Sequence, residues 1–550
     1  MVGNPFKLLA QSPPNPIIPR EPELPVPNLP VPQPNPLEPS QSTPVQPAPV
    51  PESSQTIVVE RFEFEGNTAF SDETLTAVTQ PFIGKPITFA ELLQVESAIT
   101  QKYVEAGYIN SGAVIPANQS FPQDRAVVRV QIVEGGLAEI RITGNRRLNS
   151  AYVRSRLAIA TKPPLNRDRL LEALQLLQLD PLIESISAEL QPGVIPSSSR
   201  LEVRINEADT FDTEIVLDNE RSPSVGSFRR GIRIRERNLT GLGDAIELSY
   251  ANTDGSHDYD VNYTIPINSR NGTIGLGASY TETEVIEPPF DRIDIEGKSL
   301  YLNVSFRQPL ILKPTREFAL GVTASHQQSQ TFIQEEPFPL AAGADEEGRT
   351  RISAVRFFQD YVQRNPKEVF AARSQFSLGL DLFDATINEE APDGRFFAWR
   401  GQAQYVRQLA PQTLLLFRAD AQLTPDSLVS LEQIGLGGLR SVRGYRQDIL
   451  LTDNGVFFSL EARIPILRVR NLSGVLQVAP FVDFGVGWNN RDRTPLDKNT
   501  LAGIGLGLLW QMGDDFSARI DYGIPLIDVD SGDRTLQEKG FYFQIRYNPF

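Results

Sequence analysis

From about Thr210 to Phe550 the sequence alternates apolar and polar residues in segments of roughly ten, separated by polar or glycine-containing turns. This pattern limits the possible folds more than any other feature of the chain. Examples are Ala245-Ile246-Glu247-Leu248-Ser249-Tyr250, Ser299-Leu300-Tyr301-Leu302-Asn303-Val304 and Leu414-Leu415-Leu416-Phe417-Arg418-Ala419-Asp420. Segments such as Val475 to Trp488 and Val369 to Phe383 exceed the ~5–6 residues of a soluble strand and reach the ~9–11 that a tilted membrane strand needs. About sixteen such segments occur, within the even-numbered range of single-chain bacterial barrels. Soluble sandwiches also alternate, but they rarely continue so far as one domain. The expectation is an all-β domain over residues 210–550, a sixteen-stranded antiparallel transmembrane β-barrel.

Within it, Gly503-Ile504-Gly505-Leu506-Gly507 makes one strand face small and the other apolar. That suits lipid outside and something close-packed inside. A dinucleotide fingerprint is a poor reading of these glycines, because no helix and no later acidic partner follow. The chain ends Phe541-Tyr542-Phe543-Gln544-Ile545-Arg546-Tyr547-Asn548-Pro549-Phe550. Its alternate aromatic and apolar residues would face lipid, with Gln544 and Arg546 inward. The segment looks like a C-terminal barrel-assembly signal with Phe550 as its terminal aromatic, although Asn548-Pro549 shifts Phe550 out of phase.

Composition narrows the function. A net charge of −16 argues against a nucleic-acid partner, which requires clustered Lys and Arg. No run of ~18 apolar residues appears, so no transmembrane helix is expected. The absence of cysteine removes disulfides, thiolate catalysis and Cys-ligated zinc. His257 and His326 lie far apart without ligand spacing and read as surface or lumen residues. No metal, cofactor or catalytic residue is expected. An enzyme is disfavoured further by the lack of a GxSxG elbow, and nucleotide use by the lack of a GxxxxGK[ST] loop.

The N-terminal region reads as a segment and proline-rich linker over residues 1–53. Met1 to Gln11 is too short for a secretory signal or a plug helix, so the expectation is that such a leader is missing. From Pro13 to Pro51 prolines dominate and imply a polyproline-II spacer without a core.

An internal repeat follows. Phe62-Glu63-Phe64-Glu65-Gly66-Asn67-Thr68-Ala69-Phe70 recurs as Ile140-Arg141-Ile142-Thr143-Gly144-Asn145-Arg146-Arg147-Leu148. The repeats end alike in Val128-Arg129-Val130-Gln131-Ile132-Val133-Glu134 and Leu201-Glu202-Val203-Arg204-Ile205-Asn206-Glu207. Between them, Leu92, Val95 and Ile99 mark one helix face, stopped near Gly107. Leu170, Leu174 and Leu177 mark another behind an Asn166 cap. The predicted unit is strand–helix–helix–strand–strand, over residues 54–136 and again over 137–209. These α+β units resemble POTRA domains. The first resembles the haemolysin-secretion type through Gly107-Tyr108-Ile109-Asn110-Ser111, Pro116 and Ile132-Val133-Glu134-Gly135.

Two separated motifs complete the reading. Gly437-Gly438-Leu439-Arg440-Ser441-Val442-Arg443-Gly444-Tyr445 precedes Phe481-Val482-Asp483-Phe484-Gly485. Charge is scarce in a barrel and must be paired. If Val482 and Phe484 face lipid, Asp483 faces the lumen. Arg443 offers a bidentate fork, Gly444 a tight backbone, and Tyr445 an aromatic body with one polar handle. With Asn238-Leu239-Thr240-Gly241-Leu242-Gly243-Asp244 early in the barrel, residues 56–550 resemble a TpsB transporter of two-partner secretion, in the haemolysin secretion/activation (ShlB/FhaC/HecB) family.

The resemblance implies two periplasmic POTRA domains before an outer-membrane barrel. It implies a long extracellular loop folded into the pore, with Arg443, Gly444 and Tyr445 at its tip. It pairs Arg443 with Asp483 as a lock, Phe481 and Gly485 completing the barrel motif; a static strut is the plainer alternative. The implied partners are an unfolded β-helical exoprotein client, outer-membrane lipid and the barrel-assembly machinery. Client capture by β-augmentation is placed by analogy on the second unit, on an unspecified edge. A general outer-membrane protein insertase is the competing reading; a passive porin would leave the repeated units without a purpose.

Overall fold

The apolar faces legible in the repeats become the cores of two small domains. In the first, helix Phe89–Glu105 starts at a capping box: the Thr88 hydroxyl accepts the Glu91 amide (3.2 Å) and the Glu91 carboxylate accepts the Thr88 amide (2.7 Å). Such a start stabilises a helix by about 1 kcal/mol. The helix buries Leu92, Val95, Ile99 and Tyr103 and ends before Gly107, whose φ of +89° lets the chain turn away. In the second domain the Asn166 side chain accepts the Asp168 and Arg169 amides, and helix Arg167–Gln178 buries Leu170, Leu174 and Leu177.

The computed structural model describes residues 36–38, 56–120, 122, 125–192, 198–490, 496–529, 532 and 534–549. Two compact units emerge, residues 33–209 and 210–550. In the first unit each repeat has its own sheet and its own core. The first sheet runs Pro86–Thr88, Thr56–Glu65, Ala126–Val133, Gly112–Val114, with the central pair parallel; the three-residue strand Pro86–Thr88 is an addition to the predicted unit. The second sheet runs Leu37–Glu38, Ile183–Pro192, Ser198–Glu207, Gly136–Thr143. Backbone bonds from Leu165 to Gly135 (2.8 Å) and from Arg167 to Gly107 (2.9 Å) join the two repeats.

The strand Leu37–Glu38 departs from the expected spacer. It pairs in parallel with Ala188 and Glu189, and the Pro36 carbonyl accepts the Ala188 amide (2.7 Å). A proline lacks an amide but keeps its carbonyl, so it can still cap an edge that presents a donor.

The repeats share a detail below the level of secondary structure. Gly66 and Gly144 have φ near +90° and +87°, and the amides just beyond them converge on the acid that ends the repeat. Glu134 accepts the Thr68 and Ala69 amides (2.7 and 2.8 Å), the Thr68 hydroxyl and the Tyr103 hydroxyl (2.9 Å). Glu207 accepts the amides of Arg146, Arg147 and Leu148 (2.5, 3.1 and 2.9 Å). Partial burial disfavours both carboxylates, but these hydrogen bonds outweigh it and hold each pKa below the ordinary glutamate value.

The second unit is a closed antiparallel barrel of sixteen strands, from Phe211–Asp218 to Phe541–Tyr547, with the two-residue strand Glu336–Pro337 extending one hairpin. No helix among the described residues is long and apolar enough to cross a membrane; the strands do so instead. Strand alternation sends Val261, Leu276, Leu302, Val304, Val482 and Phe484 outward. Gly241 and Gly243 adopt positive φ in the turn 238–244, where Asp244 accepts the Thr240 amide (2.9 Å) and the Tyr263 hydroxyl (2.7 Å). Between strands Thr413–Leu423 and Asn454–Val469 the chain folds into the lumen, and its residues Leu428, Val429, Leu431, Val442 and Tyr445 are buried there.

Candidate functional site

The inward residues of strand Gly474–Trp488 make a seat for this loop. Phe481, Asp483 and Gly485 alternate with outward Val482 and Phe484, and each meets the loop tip. The Arg443 guanidinium lies 3.4 Å above the Phe481 ring centre, a favourable position for a desolvated cation. Asp483 accepts Arg443 Nε (2.7 Å), Nη2 (2.9 Å) and backbone amide (3.1 Å). A side chain at Gly485 would press on Val442 (2.9 Å).

The adjoining wall is cut away for the loop backbone. A side chain at Gly503 would collide with the Arg443 carbonyl, and one at Gly523 would sit 2.5 Å from the Gly444 amide nitrogen. Gly444 has φ +105°, with Pro525 N 2.9 Å from where its own side chain would begin. Its amide donates to the Tyr542 hydroxyl (2.9 Å). The Tyr445 hydroxyl lies between two strands' ends, 2.9 Å from the carbonyls of both Ala502 and Ile527, and accepts the Ile527 amide (3.1 Å).

Arg443 and Asp483 are part of a larger cluster. Arg443 Nη1 also donates to Glu461 (2.7 Å) and to Asp521 (3.4 Å). Glu461 accepts Arg463 (2.8 Å) and Arg519 (2.6 Å), and Arg519 donates to Asp521 (2.5 and 2.7 Å). Three guanidinium groups thus face three carboxylates. Each of these charges has an opposite charge within hydrogen-bonding reach, which avoids the large penalty of an isolated buried charge; Arg418 lies beside them and donates to the Arg440 carbonyl (3.3 Å). Arg443 and Asp483 have essentially no solvent exposure (0% and 1%); the hydrogen bonds described for Asp483 all come from Arg443, whereas Arg443 also faces Glu461 and Asp521.

Two further loop arginines flank the tip at spacings of three. Arg440 donates to Glu220 (2.6 Å), and Arg446 donates to Glu287 (2.8 Å) and Glu538 (3.3 Å). Earlier in the loop, Glu432 accepts Arg356 (2.5 Å). The site residues read from sequence therefore all meet in one place except Phe550, which lies outside the described residues. Those not singled out were Glu461, Arg463, Arg519 and Asp521. Period two would have placed them inward, between outward Leu460, Ile520 and Tyr522. No local signal announces Glu220, Glu287 or Glu538, which reach the loop from distant turns.

A closed sixteen-stranded barrel with an inward loop on a charged seat, preceded by two small α/β domains, defines an outer-membrane pore that handles polypeptide. Sequence comparison gives the family. The pattern described as "Haemolysin secretion/activation protein ShlB/FhaC/HecB" matches residues 197–509, and that described as "POTRA domain, ShlB-type" matches residues 57–135. The chain belongs to this family, the outer-membrane transporters of two-partner secretion. It is similar to the heme/hemopexin transporter protein HuxB of Haemophilus influenzae (strain 86-028NP), 21% identical over 84% of this chain and 82% of the relative. In fold it is similar to CdiB from Escherichia coli, with a TM-score of 0.70 at 18% identity over 91% of this chain and 92% of that one. It is less similar to BamA from Haemophilus ducreyi lacking POTRA domains 1–3, with a TM-score of 0.55 at 15% identity over 90% and 100% of the two chains.

Proposed function

We propose that this transporter serves one dedicated exoprotein, binds it unfolded on the second repeat domain, and passes it through the barrel when the Arg443–Asp483 pair yields. The observation that carries the reading is the seat. A loop tip lies in the lumen against the wall and is held there by charge pairs centred on Arg443 and flanked by those of Arg440 and Arg446, so a passing chain has to displace it.

Capture as an extended strand is supported by the edge of Ile183–Pro192. That edge already hydrogen-bonds residues 36–38 as an added strand, the geometry of β-augmentation, in which backbone bonds give affinity and alternate side chains give selectivity. HuxB is named for heme and hemopexin; the client of the present chain is left to experiment. Its own insertion would use the barrel-assembly machinery, reading the C-terminal segment that ends in Phe550.

The test compares secreted and outer-membrane proteomes of a deletion strain and its parent. Loss of one large exoprotein from the medium, with the membrane profile unchanged, is the expected result. A broad fall in barrel proteins would instead make the chain a general insertase.

A further inference from the structure

Loop 381–396 joins strands Glu368–Leu380 and Phe397–Ala410 at one rim of the barrel. Phe211 follows the periplasmic repeat domains in the chain, so the first strand runs outward. The antiparallel order gives Glu368–Leu380 the same direction, and the loop therefore lies on the extracellular side.

The loop opens with a tight turn. The Ala385 amide donates to the Leu382 carbonyl (3.2 Å), and both residues between them have positive φ, Phe383 at +53° and Asp384 at +55°. Turns of this hand favour Asn-Gly or Asp-Gly, because a bulky side chain at positive φ crowds its own backbone. A phenylalanine persists there only where something offsets the strain. The neighbouring extracellular hairpin makes the same bend with polar, exposed residues: Gln334 and Glu335, at φ +53° and +65°, turn between the paired Ile333 and Glu336.

The protein itself offsets little at Phe383. Its side chain is 76% exposed, more than any other large apolar residue among the described residues, and it meets the His326 ring edge-on at 6.0 Å between centres. That contact shows where the turn lies. His326 pairs with outward Leu302 on one side and with Ser353 on the other, and residues paired across strands share a face. The Ser353 hydroxyl donates to the Leu382 carbonyl (2.7 Å) and lies 3.0 Å from His326 Nδ1. The turn is thus folded down on the outer face of the barrel. Two residues deeper runs the paired row Val304, Ala324, Val355, Leu378 and Phe397, whose large side chains are all exposed on the lipid face. Leu382 and Phe383 extend that apolar surface beyond the strand that ends at Leu380.

We propose that the turn Leu382–Ala385 is a lipid anchor, which sets Phe383, with Leu382 beside it, into the extracellular leaflet at the boundary of headgroups and acyl chains. An aromatic ring suits that depth, and its burial in lipid offsets the unfavourable backbone. The anchor holds the outer limb of a loop whose other end, Phe396, packs with Leu428, Val429 and Leu431 of the pore loop. It does not depend on whether the barrel serves one client or many.

The absence of cysteine lets a single nitroxide be placed by Phe383→Cys and, for reference, by Glu335→Cys in the polar turn. The full-length protein is reconstituted in bilayers of phosphatidylethanolamine and phosphatidylglycerol. The label at 383 should collide more with dissolved oxygen than with a water-soluble nickel chelate, and the label at 335 should show the reverse. A label at 383 reached by the chelate as readily as that at 335 would put the turn in water and overturn the anchor. One sheltered from both reagents would be covered by a second copy of the chain, which overturns it equally. Phe383→Gly gives an independent check, because glycine suits positive φ and should steady a turn that has no lipid partner. In the bilayer, exchange of the Leu382, Ala385 and Thr386 amides should instead quicken about fivefold, the loss of ring burial outweighing the relief of strain. Unchanged or slower exchange would overturn the anchor.

Discussion

Glu207 and Asp483 each gather three hydrogen bonds from donors distant in sequence, yet they are held in opposite ways. The donors to Glu207 are three successive amides of its own domain, Arg146 to Leu148. They can leave only if that domain unfolds. The donors described for Asp483 all belong to Arg443, on a loop that enters the lumen between two strands. They leave together if the loop moves. Glu134 repeats the first arrangement in the first domain. The repeat domains thus hold a carboxylate with donors of their own fold, whereas the barrel holds one with donors from a single loop residue, the arrangement that the proposed opening requires.

The largest expected effect sharpens this contrast. Arg443→Ala leaves the buried Asp483 without its partner and should destabilise the seated loop by about 3–5 kcal/mol; Asp483→Ala should cost less, because Arg443 keeps Glu461 and Asp521. The double variant should recover part of that loss, since the cluster regains its balance. Denaturant unfolding and the amount of client in the medium measure the two consequences. Wild-type stability and secretion in both single variants would mean that the pair is not the fastener.

A smaller effect is expected in the repeats. Gly144→Ala places a methyl group against the Ile205 carbonyl at a φ of +87°, and Gly66→Ala places one 2.6 Å from the Ile132 carbonyl. Each should cost about 1–3 kcal/mol, Gly144→Ala the more because its carbonyl is closer. Limited proteolysis of the two domains would rank them. Secretion should fall only as far as the altered domain unfolds; a secretion defect with the domain intact would make this turn part of the moving machinery and break the contrast.

The smallest effect depends on pH. The folded pKa of Glu207 lies below its unfolded value near 4.3, so its contribution is complete above that value and is lost as pH falls through the folded pKa. Glu207→Gln should therefore lower stability at neutral pH and flatten the decline of the second domain's stability below about pH 4.3. Exchange of the amides at 146–148 as a function of pH reports it; an acid profile unchanged by the substitution would remove Glu207 as the fastener.

How much of this could be read from sequence depends on the range of the interaction. Period two is a local rule, and it placed Asp483 inward between Val482 and Phe484. The same rule applied to Glu461, Arg519 and Asp521, but only a paired motif drew attention to their neighbour. Helix faces were equally legible, because Leu92, Val95 and Ile99 lie within two turns. The partners of Arg440 and Arg446 were not, since Glu220, Glu287 and Glu538 sit in turns whose positions follow from barrel closure rather than from any nearby pattern. The added strand Leu37–Glu38 was hidden for another reason: its proline-rich setting describes the chain in isolation, while the edge of Ile183–Pro192 supplies the partner.

The glycines beneath the loop carry one more consequence. A strand interior normally gains from side chains packed on both faces, and glycine there forgoes that gain. At Gly503 and Gly523 the missing side chains are replaced by the loop's own backbone at Arg443 and Gly444. Lift the loop away and the wall keeps a bare groove that nothing in the strands can fill. On the proposed displacement of the loop, the wall would lose contacts that it cannot make alone, and return of the loop would restore them.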